Sequence, residues 1–367
     1  MSAEAGVQLG GLEYSKPSSG ETSTKPSFTW LRWLVLGATV VGCESRVVPA
    51  REDYPEPSMR LVWLRDITLE EPKGVLNVAI TAANDRDEGF LVADMKELQV
   101  RRYGKTGQLS SVFGRPGGGP GEFQAPILAV LRLRDRSIIV ADANGSIMHV
   151  DSTGVELSRS TTPIRPLYGL VELDAGLVLL TGRHAEATRA TLLHVWDVAT
   201  ARIRRSFFEE PDIGRNGSII AGMSGAAMAA VRHDTLVVIY SLSDTAYYVD
   251  RAGHLLRKRP LRLRHFLQRT ADPPPPGPVT PAVQRWANSF SRTYQPFVLS
   301  DGTLVVSYYR TEGVTPIWSI FAESEAGEIL LDEENSPQLL AVAHDTLVFV
   351  KPTVSAPNVW SLARLSR

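Results

Sequence analysis

The sequence predicts an all-β fold of six small antiparallel sheets set in a ring, and three observations carry that reading. An eight-residue phrase occurs twice, 111 positions apart: Ala230–Val237 returns as Ala341–Val348 with seven of eight residues identical. Each copy joins two β-rich runs through a polar His-Asp turn, the pattern of a hairpin. Six short runs rich in Val, Ile and Leu then recur as second strands of successive units. They are Phe90–Asp94, Ile138–Asp142, Leu177–Thr181, Leu236–Tyr240, Leu304–Tyr308 and Leu347–Lys351. Their starts lie 48, 39, 59, 68 and 43 residues apart. Four strands per unit at such spacing is the arithmetic of a β-propeller.

Composition excludes several classes. The chain has 367 residues, 43% hydrophobic and 22% charged, with a formal net charge of −1. That balance suits a water-soluble body and argues against a nucleic-acid partner. One cysteine, Cys43, rules out an intrachain disulfide and a Cys-rich zinc site.

Read in order, the chain opens with a polar stretch, residues 1–27, rich in Ser, Gly, Thr and Glu and without apolar period. An apolar run, Trp33–Val41, follows Arg32. It is too short for a spanning helix, which needs about 20 residues, and it suits the core of a secretory signal. Its end, Val40-Val41-Gly42-Cys43, resembles the lipobox of bacterial lipoproteins, although the polar segment before the run is longer than such signals have. The resemblance implies that residues 1–42 are a signal segment and that Cys43 is acylated. Glu44, rather than Asp, follows it, which by the sorting rule of enterobacteria implies the outer membrane, facing the periplasm or the cell surface. Residues 43–58, with Pro49, Pro55 and Pro57 among charges, read as a flexible tether. A body held this way is anchored to a membrane and does not span it.

The folded body is expected over 59–367. Asp174-Ala175-Gly176 and Asp301-Gly302 mark turns before second strands, and Asp-x-x-Gly at Asp151–Gly154 and Asp250–Gly253 closes third strands. The last unit supplies three strands and the chain then ends, while Arg60–Arg65 lies before the first unit without a hairpin partner. Pairing that strand on the final sheet would close the ring and remove two open edges.

The stretch Phe113-Gly114 … Gly119-Pro120-Gly121-Glu122-Phe123 … Ile139-Val140-Ala141-Asp142 … Asn144 … Val150-Asp151 … Gly154 resembles an NHL repeat. The resemblance covers about 70 residues and implies a six-bladed propeller. Gly145-Ser146 stand where that family commonly has Arg, and the later units match only in strand pattern. The chain looks more like the loosely related propellers of bacterial envelopes than like RNA-binding NHL modules.

Candidate sites divide into structural and functional. Asp94 and Asp142 recur at second-strand ends, where a carboxylate can accept N–H groups of the following turn. His233-Asp234 and His344-Asp345 occupy matching turns in different blades. Gly114–Gly121 lacks the Lys-Ser/Thr and helix of a phosphate loop. Ser224, in Gly222-Met223-Ser224-Gly225, lacks the spacing of a nucleophile elbow. The expected inner strands Val75–Ala82 and Ile127–Leu133 are mostly apolar, with Asn77 and Arg132, which speaks against a channel metal. No cofactor is implied.

Two features invite a binding role. Residues 251–269 carry seven Arg and Lys residues and no acid. Among them Arg257, Arg259, Arg262 and Arg264 are candidate contacts for an anionic partner. A strand over Leu261–Arg264 would show one basic face. The insertion at about 265–293 holds a proline run, Pro273–Pro276, and a candidate short helix, Ala282–Ala287, with Trp286 as a further contact. It is expected to lie over one face of the ring, outside the blade cores. The reading is a monomeric, lipid-anchored envelope propeller that binds or scaffolds an envelope protein or polymer. The alternative is a metal-dependent propeller hydrolase, lyase or lactonase with a channel site.

Overall fold

Neighbouring blades share their cores, and that sharing organises the molecule. The computed structural model describes residues 54–71, 79–84 (backbone), 89–184, 191–209, 227–269, 280–313, 315–350 and 358–367, all within one unit, Cys43–Arg367. The signal segment, Cys43, Asn77, Ser224 and the proline run lie outside the described residues.

A strand that precedes the repeats, β1 (Arg60–Thr68), is followed by the first blade: β2 (Ala79–Asn84), β3 (Phe90–Asp94), β4 (Gln99–Tyr103) and β5 (Leu109–Phe113). The second has β6 (Ile127–Arg132), β7 (Ile138–Asp142), β8 (Ser146–Val150) and β9 (Glu156–Thr161). The third has β10 (Ile164–Asp174), β11 (Leu177–His184), β12 (Thr191–Asp197) and β13 (Arg202–Glu209). The fourth has β14 (Ala227–Arg232), β15 (Thr235–Tyr240), β16 (Thr245–Asp250) and β17 (Leu255–Pro260), and is followed by helix α1 (Pro281–Ala287). The fifth has β18 (Arg292–Val298), β19 (Leu304–Glu312), β20 (Thr315–Glu323) and β21 (Ile329–Glu334). The sixth combines β22 (Gln338–Ala343), β23 (Thr346–Val350) and β24 (Val359–Ser366) with β1 in the order β1-β24-β23-β22. The protein is a six-bladed β-propeller.

Strands β3 and β7 are buried along their whole length, and the other second strands along their central residues. A strand covered on both faces must be apolar at every position, so these runs do not alternate. Their side chains still divide by parity. Leu236, Val238 and Tyr240 pack toward the third blade, whereas Val237 and Ile239 pack toward the fifth. Six hydrophobic clusters result, one at each junction between neighbouring blades.

Turn chemistry follows the sequence. The Asp94 carboxylate accepts Lys96 and Glu97 N–H groups at 3.0 Å, and Asp142 accepts those of Asn144 and Ser146 at 2.9 Å. His233-Asp234 and His344-Asp345 are the two-residue turns of the β14–β15 and β22–β23 hairpins, with both histidines at positive φ. The glycine-rich loop joins the first blade to the second and plugs Phe123 into their shared core. At Gly114 a Cβ would meet the Phe123 ring at 2.6 Å, which explains the glycine there. Glu122 binds the loop itself, accepting from Gly119 N at 2.7 Å and Arg115 Nε at 2.8 Å.

Closure is made by β1, antiparallel to β24 from Arg60↔Ser366 to Thr68↔Val359. Leu61 joins the core between blades five and six, and Ile67 and Leu69 join that between six and one. Trp63 is half exposed but its ring lies 5.2 Å from that of Phe349. The packed body starts earlier than the expected Met59. Tyr54 docks against the core between blades four and five, and its phenol donates to Asp332. The segment then runs to Met59, whose N–H donates to Leu330 O at 2.8 Å. The C-terminal end of the expected tether therefore packs on the body, where half-buried Asp332 accepts from Tyr54 as well as from Arg264 N and the Tyr308 hydroxyl.

Deleting residues 54–70 should cripple the fold. Burial of Leu61, Ile67 and Leu69 alone is worth about 5 kcal/mol, and the paired edge of β24 would open. Aggregation or a clear fall in melting temperature is expected by differential scanning fluorimetry. An unchanged melting temperature would mean that the ring closes without β1.

Candidate functional site

The basic stretch lies on the outer edge of the fourth blade, where β17 pairs only with β16. An outer strand has no further sheet to cover it, so Leu255, Leu256, Arg257 and Lys258 are all exposed. The register slips between Tyr248 and Val249, whose partners are Arg257 and Leu255, leaving Leu256 opposite no residue. Such a bulge turns the extra side chain outward, and Leu256 is 58% exposed.

The four candidate arginines separate into different roles. Arg257 is exposed and lies 4.1 Å above the Tyr248 ring. Arg259 turns inward: it pairs with Glu323 of the fifth blade and donates to the Tyr248 hydroxyl at 2.7 Å. Burial raises the Glu323 carboxyl above its ordinary range, with Arg259 opposing that shift. Arg259 is thus a bolt between blades, not a free cation. The strand stops at Pro260, so the alternating basic face over Leu261–Arg264 does not form. Leu261 and Leu263 instead enter the core between blades four and five. Arg262 is exposed at φ 51°, and no carboxylate pairs with it among the described residues. The Arg264 N–H donates to Asp332 at 2.9 Å, and its guanidinium lies 5.2 Å from the Tyr54 ring.

Trp286 faces inward. Helix α1 is capped by Thr280, whose hydroxyl accepts from Val283 N at 3.3 Å. Its apolar side delivers Trp286 and Ala287, with Phe290 beyond them, into the core between blades three and four. Trp286 is 8% exposed. The described part of the insertion thus packs one apolar side into the body, while Pro281, Ala282, Gln284 and Arg285 stay exposed.

The basic edge extends to the third blade. On β13, Arg202 and Arg205 are exposed, while Arg204 pairs with Asp197. The two edges adjoin, since the Phe208 and Tyr247 rings meet at 5.1 Å.

Other polar groups serve the fold. Arg101 bridges Asp94, at 2.7 Å, and Glu71, which also accepts from the Tyr103 hydroxyl at 2.6 Å. Sequence reasoning missed this pinning of the link from β1 to β2, because Glu71 lies 30 residues before Arg101. Arg232 is buried and donates to Gly302 O in the next blade's turn. His194 is fully buried in the third blade, with Nδ1 2.7 Å from Ser206 Oγ and Nε2 3.2 Å from Gly182 O. Burial pushes it down to about 4. Among the described residues no three His, Cys, Asp or Glu side chains gather as metal ligands.

No protein-family model matches the chain, and no curated protein matches it in sequence. Solved structures do resemble it. A candidate exported protein of Bacteroides fragilis aligns with a TM-score of 0.58 at 12% identity, over 84% of this chain and 96% of that one. BamB of Moraxella catarrhalis gives 0.44 at 13% identity, over 83% and 98%. A streptogramin B lyase gives 0.48 at 11% identity, over 84% and 98%. The Bacteroides fragilis likeness is one of fold, a β-propeller.

Two outcomes separate fold from surface. Arg259→Leu strips Glu323 of its partner and should cost about 3 kcal/mol in denaturant unfolding, whereas Arg257→Ala should cost under about 1 kcal/mol. Equal costs would contradict the division of roles. His194 makes the fold acid-sensitive. A depressed folded-state value leaves its contribution intact above the unfolded value of 6.5 and removes it as pH falls toward about 4. That loss is at most about 3 kcal/mol. His194→Gln should flatten the fall in urea midpoint across this window, and an unaltered profile would place the acid sensitivity elsewhere.

Proposed function

We propose that the protein is a lipid-anchored propeller of the bacterial envelope that works as a binding or scaffolding module. One observation carries the reading. The chain's single cysteine falls at the end of Val40-Val41-Gly42-Cys43, directly behind an apolar run of signal length. Diacylation of Cys43 would hold the body at a membrane through a short segment, and Glu44 favours the outer membrane.

The fold supports a module of this kind. Among the described residues no helix is long and apolar enough to cross a membrane. The conspicuous charges in the turns, Asp94, Asp142 and Asp345, are occupied by backbone N–H groups of the propeller itself. The NHL-like phrase Gly119–Phe123 likewise serves the joint between two blades. The edge of blades three and four, in contrast, exposes Arg202, Arg205, Arg257, Lys258 and Arg262 to water. Such a surface suits an anionic envelope component, because clustered cations raise its local concentration and its rate of capture.

Radiolabelled palmitate should enter the wild-type chain in a bacterial host and should not enter Cys43→Ala. The wild type should fractionate with membranes and the variant should shift to the soluble fraction. Equal labelling of both would remove the lipoprotein reading.

A further inference from the structure

A bulge like that at Leu256 recurs between the third and outer strands of every blade. The residues it leaves without a cross-strand partner are Ser110, Leu157, Arg204, Leu256 and Leu330 in blades one to five, and Leu64 in the sixth. Leu330 is 8% exposed, with Met59 bonded to its carbonyl. Leu64, Leu157 and Leu256 stand out at 47%, 56% and 58% exposure.

Their surroundings differ. Beside Leu157, Glu156 and Arg159 pair at 2.8 Å, so that edge is locally neutral. Beside Leu64, Asp66 adjoins Arg65. Near Leu64 that single carboxylate faces exposed Arg60, Arg65 and Arg364, whereas the fourth blade sets its bulge leucine among cations alone. Leu255 precedes Leu256, Arg257 and Lys258 follow it, and Arg262 is exposed just beyond the strand. No carboxylate neutralises these three among the described residues. A pair of exposed leucines flanked by cations fits the boundary of a lipid layer, with apolar tips below the headgroups and charges level with phosphates.

The chain enters the body near the same edge, between blades four and five. Tyr54 is the first described residue, and the Arg264 guanidinium, four residues beyond β17, stands 5.2 Å from its ring. Cys43 precedes Tyr54 by eleven residues. A chain of that length spans at most about 40 Å, and β17 itself is only about 20 Å long. A lipid on Cys43 would therefore keep this edge near the bilayer, where tethering turns weak contacts into a populated docked state.

We propose that the outer edge of the fourth blade, Leu255, Leu256, Arg257 and Lys258 with Arg262, docks on the anionic phospholipid surface of the membrane that holds the lipid anchor. The proposal rests on the reading of Cys43 as the acylation site. Docked edge-on, the propeller leaves both ends of its ring free for a partner.

The test uses the full acylated chain in vesicles of phosphatidylglycerol and phosphatidylcholine. Acylation occupies the only native thiol, so Leu256→Cys can carry a polarity-sensitive dye, with Leu157→Cys as a control of matching bulge geometry. Nitroxide lipids should quench the dye at 256 and leave that at 157 unaffected. Each cation near an anionic surface is worth about fivefold, so losing three lowers the docked ratio about a hundredfold, and Arg257→Glu, Lys258→Glu and Arg262→Glu together should lower it by more than that. Quenching at 256 should vanish in that variant, in pure phosphatidylcholine and at high salt. Should the reversed chain melt below its parent, exchange of the three for Gln must still reduce quenching. Equal quenching at both positions, or none at 256 in the acylated chain, overturns the docking. Mass spectrometry of Cys43 reads the anchor separately: no acyl group with quenching retained on the Cys43→Ala chain sinks the anchor alone. An acyl group without quenching sinks the docking alone.

Discussion

Everything in this molecule depends on each blade being covered on both faces by its neighbours. A four-stranded sheet with an apolar second strand has no stable face of its own, and it gains one only where another blade packs against it. The parity split on β15 is the local expression of this, with Leu236 and Val238 serving one junction and Val237 and Ile239 the next. A linear row of such blades would end in two bare faces. Joining the ends removes both, and β1 joins them by lying in a sheet whose other three strands come from the far end of the chain. Leu61 and Ile67 then serve opposite faces of that sheet, one toward blade five and one toward blade one.

The sequence makes the repeated parts legible and hides the solitary ones, for a physical reason. Second strands, Asp-capped turns and the β1 closure are set by patterns that local chemistry enforces in each unit. A buried strand must be apolar, and a tight turn needs an acceptor. Helix α1 was visible from its own composition, although its role was not. Nothing in Ala282–Ala287 tells whether Trp286 faces water or a core whose other strands lie far earlier in the chain, from Leu173 to Val249, because an aromatic serves either setting. Tyr54 and Asp332 are 278 positions apart, and neither belongs to a motif. Arg259 and Glu323 share the problem: a cation's residue type reveals its charge but not its partner.

The candidate site shows how much that distinction decides. Arg257 and Arg259 stand two apart and lean on the same tyrosine, Tyr248. One meets water and the other meets Glu323, which is 2% exposed. Removing a partner from a buried ion leaves an unpaired charge, whereas an exposed cation loses little. The acid-free run 251–269 therefore overstates the surface charge available for binding. It also feeds two leucines, Leu261 and Leu263, into the core. What remains free is smaller than the sequence suggests, and it lies on an edge rather than over a face.

That edge is open to a competing explanation. Outer strands carry unpaired N–H and C=O groups, and proteins protect them with charged residues, lysine above all, that discourage pairing with a second chain. Arg257 and Lys258 would serve that purpose on β17. Leu255 and Leu256 would not, for exposed aliphatic side chains beside a free edge promote the association that the cations oppose. A purely protective strand would place its polar residues at the bulge, as the first and third blades do with Ser110 and Arg204. In the fifth blade the apolar bulge residue is buried beside the segment that enters the ring. The fourth blade keeps its leucine exposed and surrounds it with uncompensated charge. Edge protection predicts cations without leucines and core packing predicts leucines without cations; a surface that is apolar within and anionic at its boundary accounts for both.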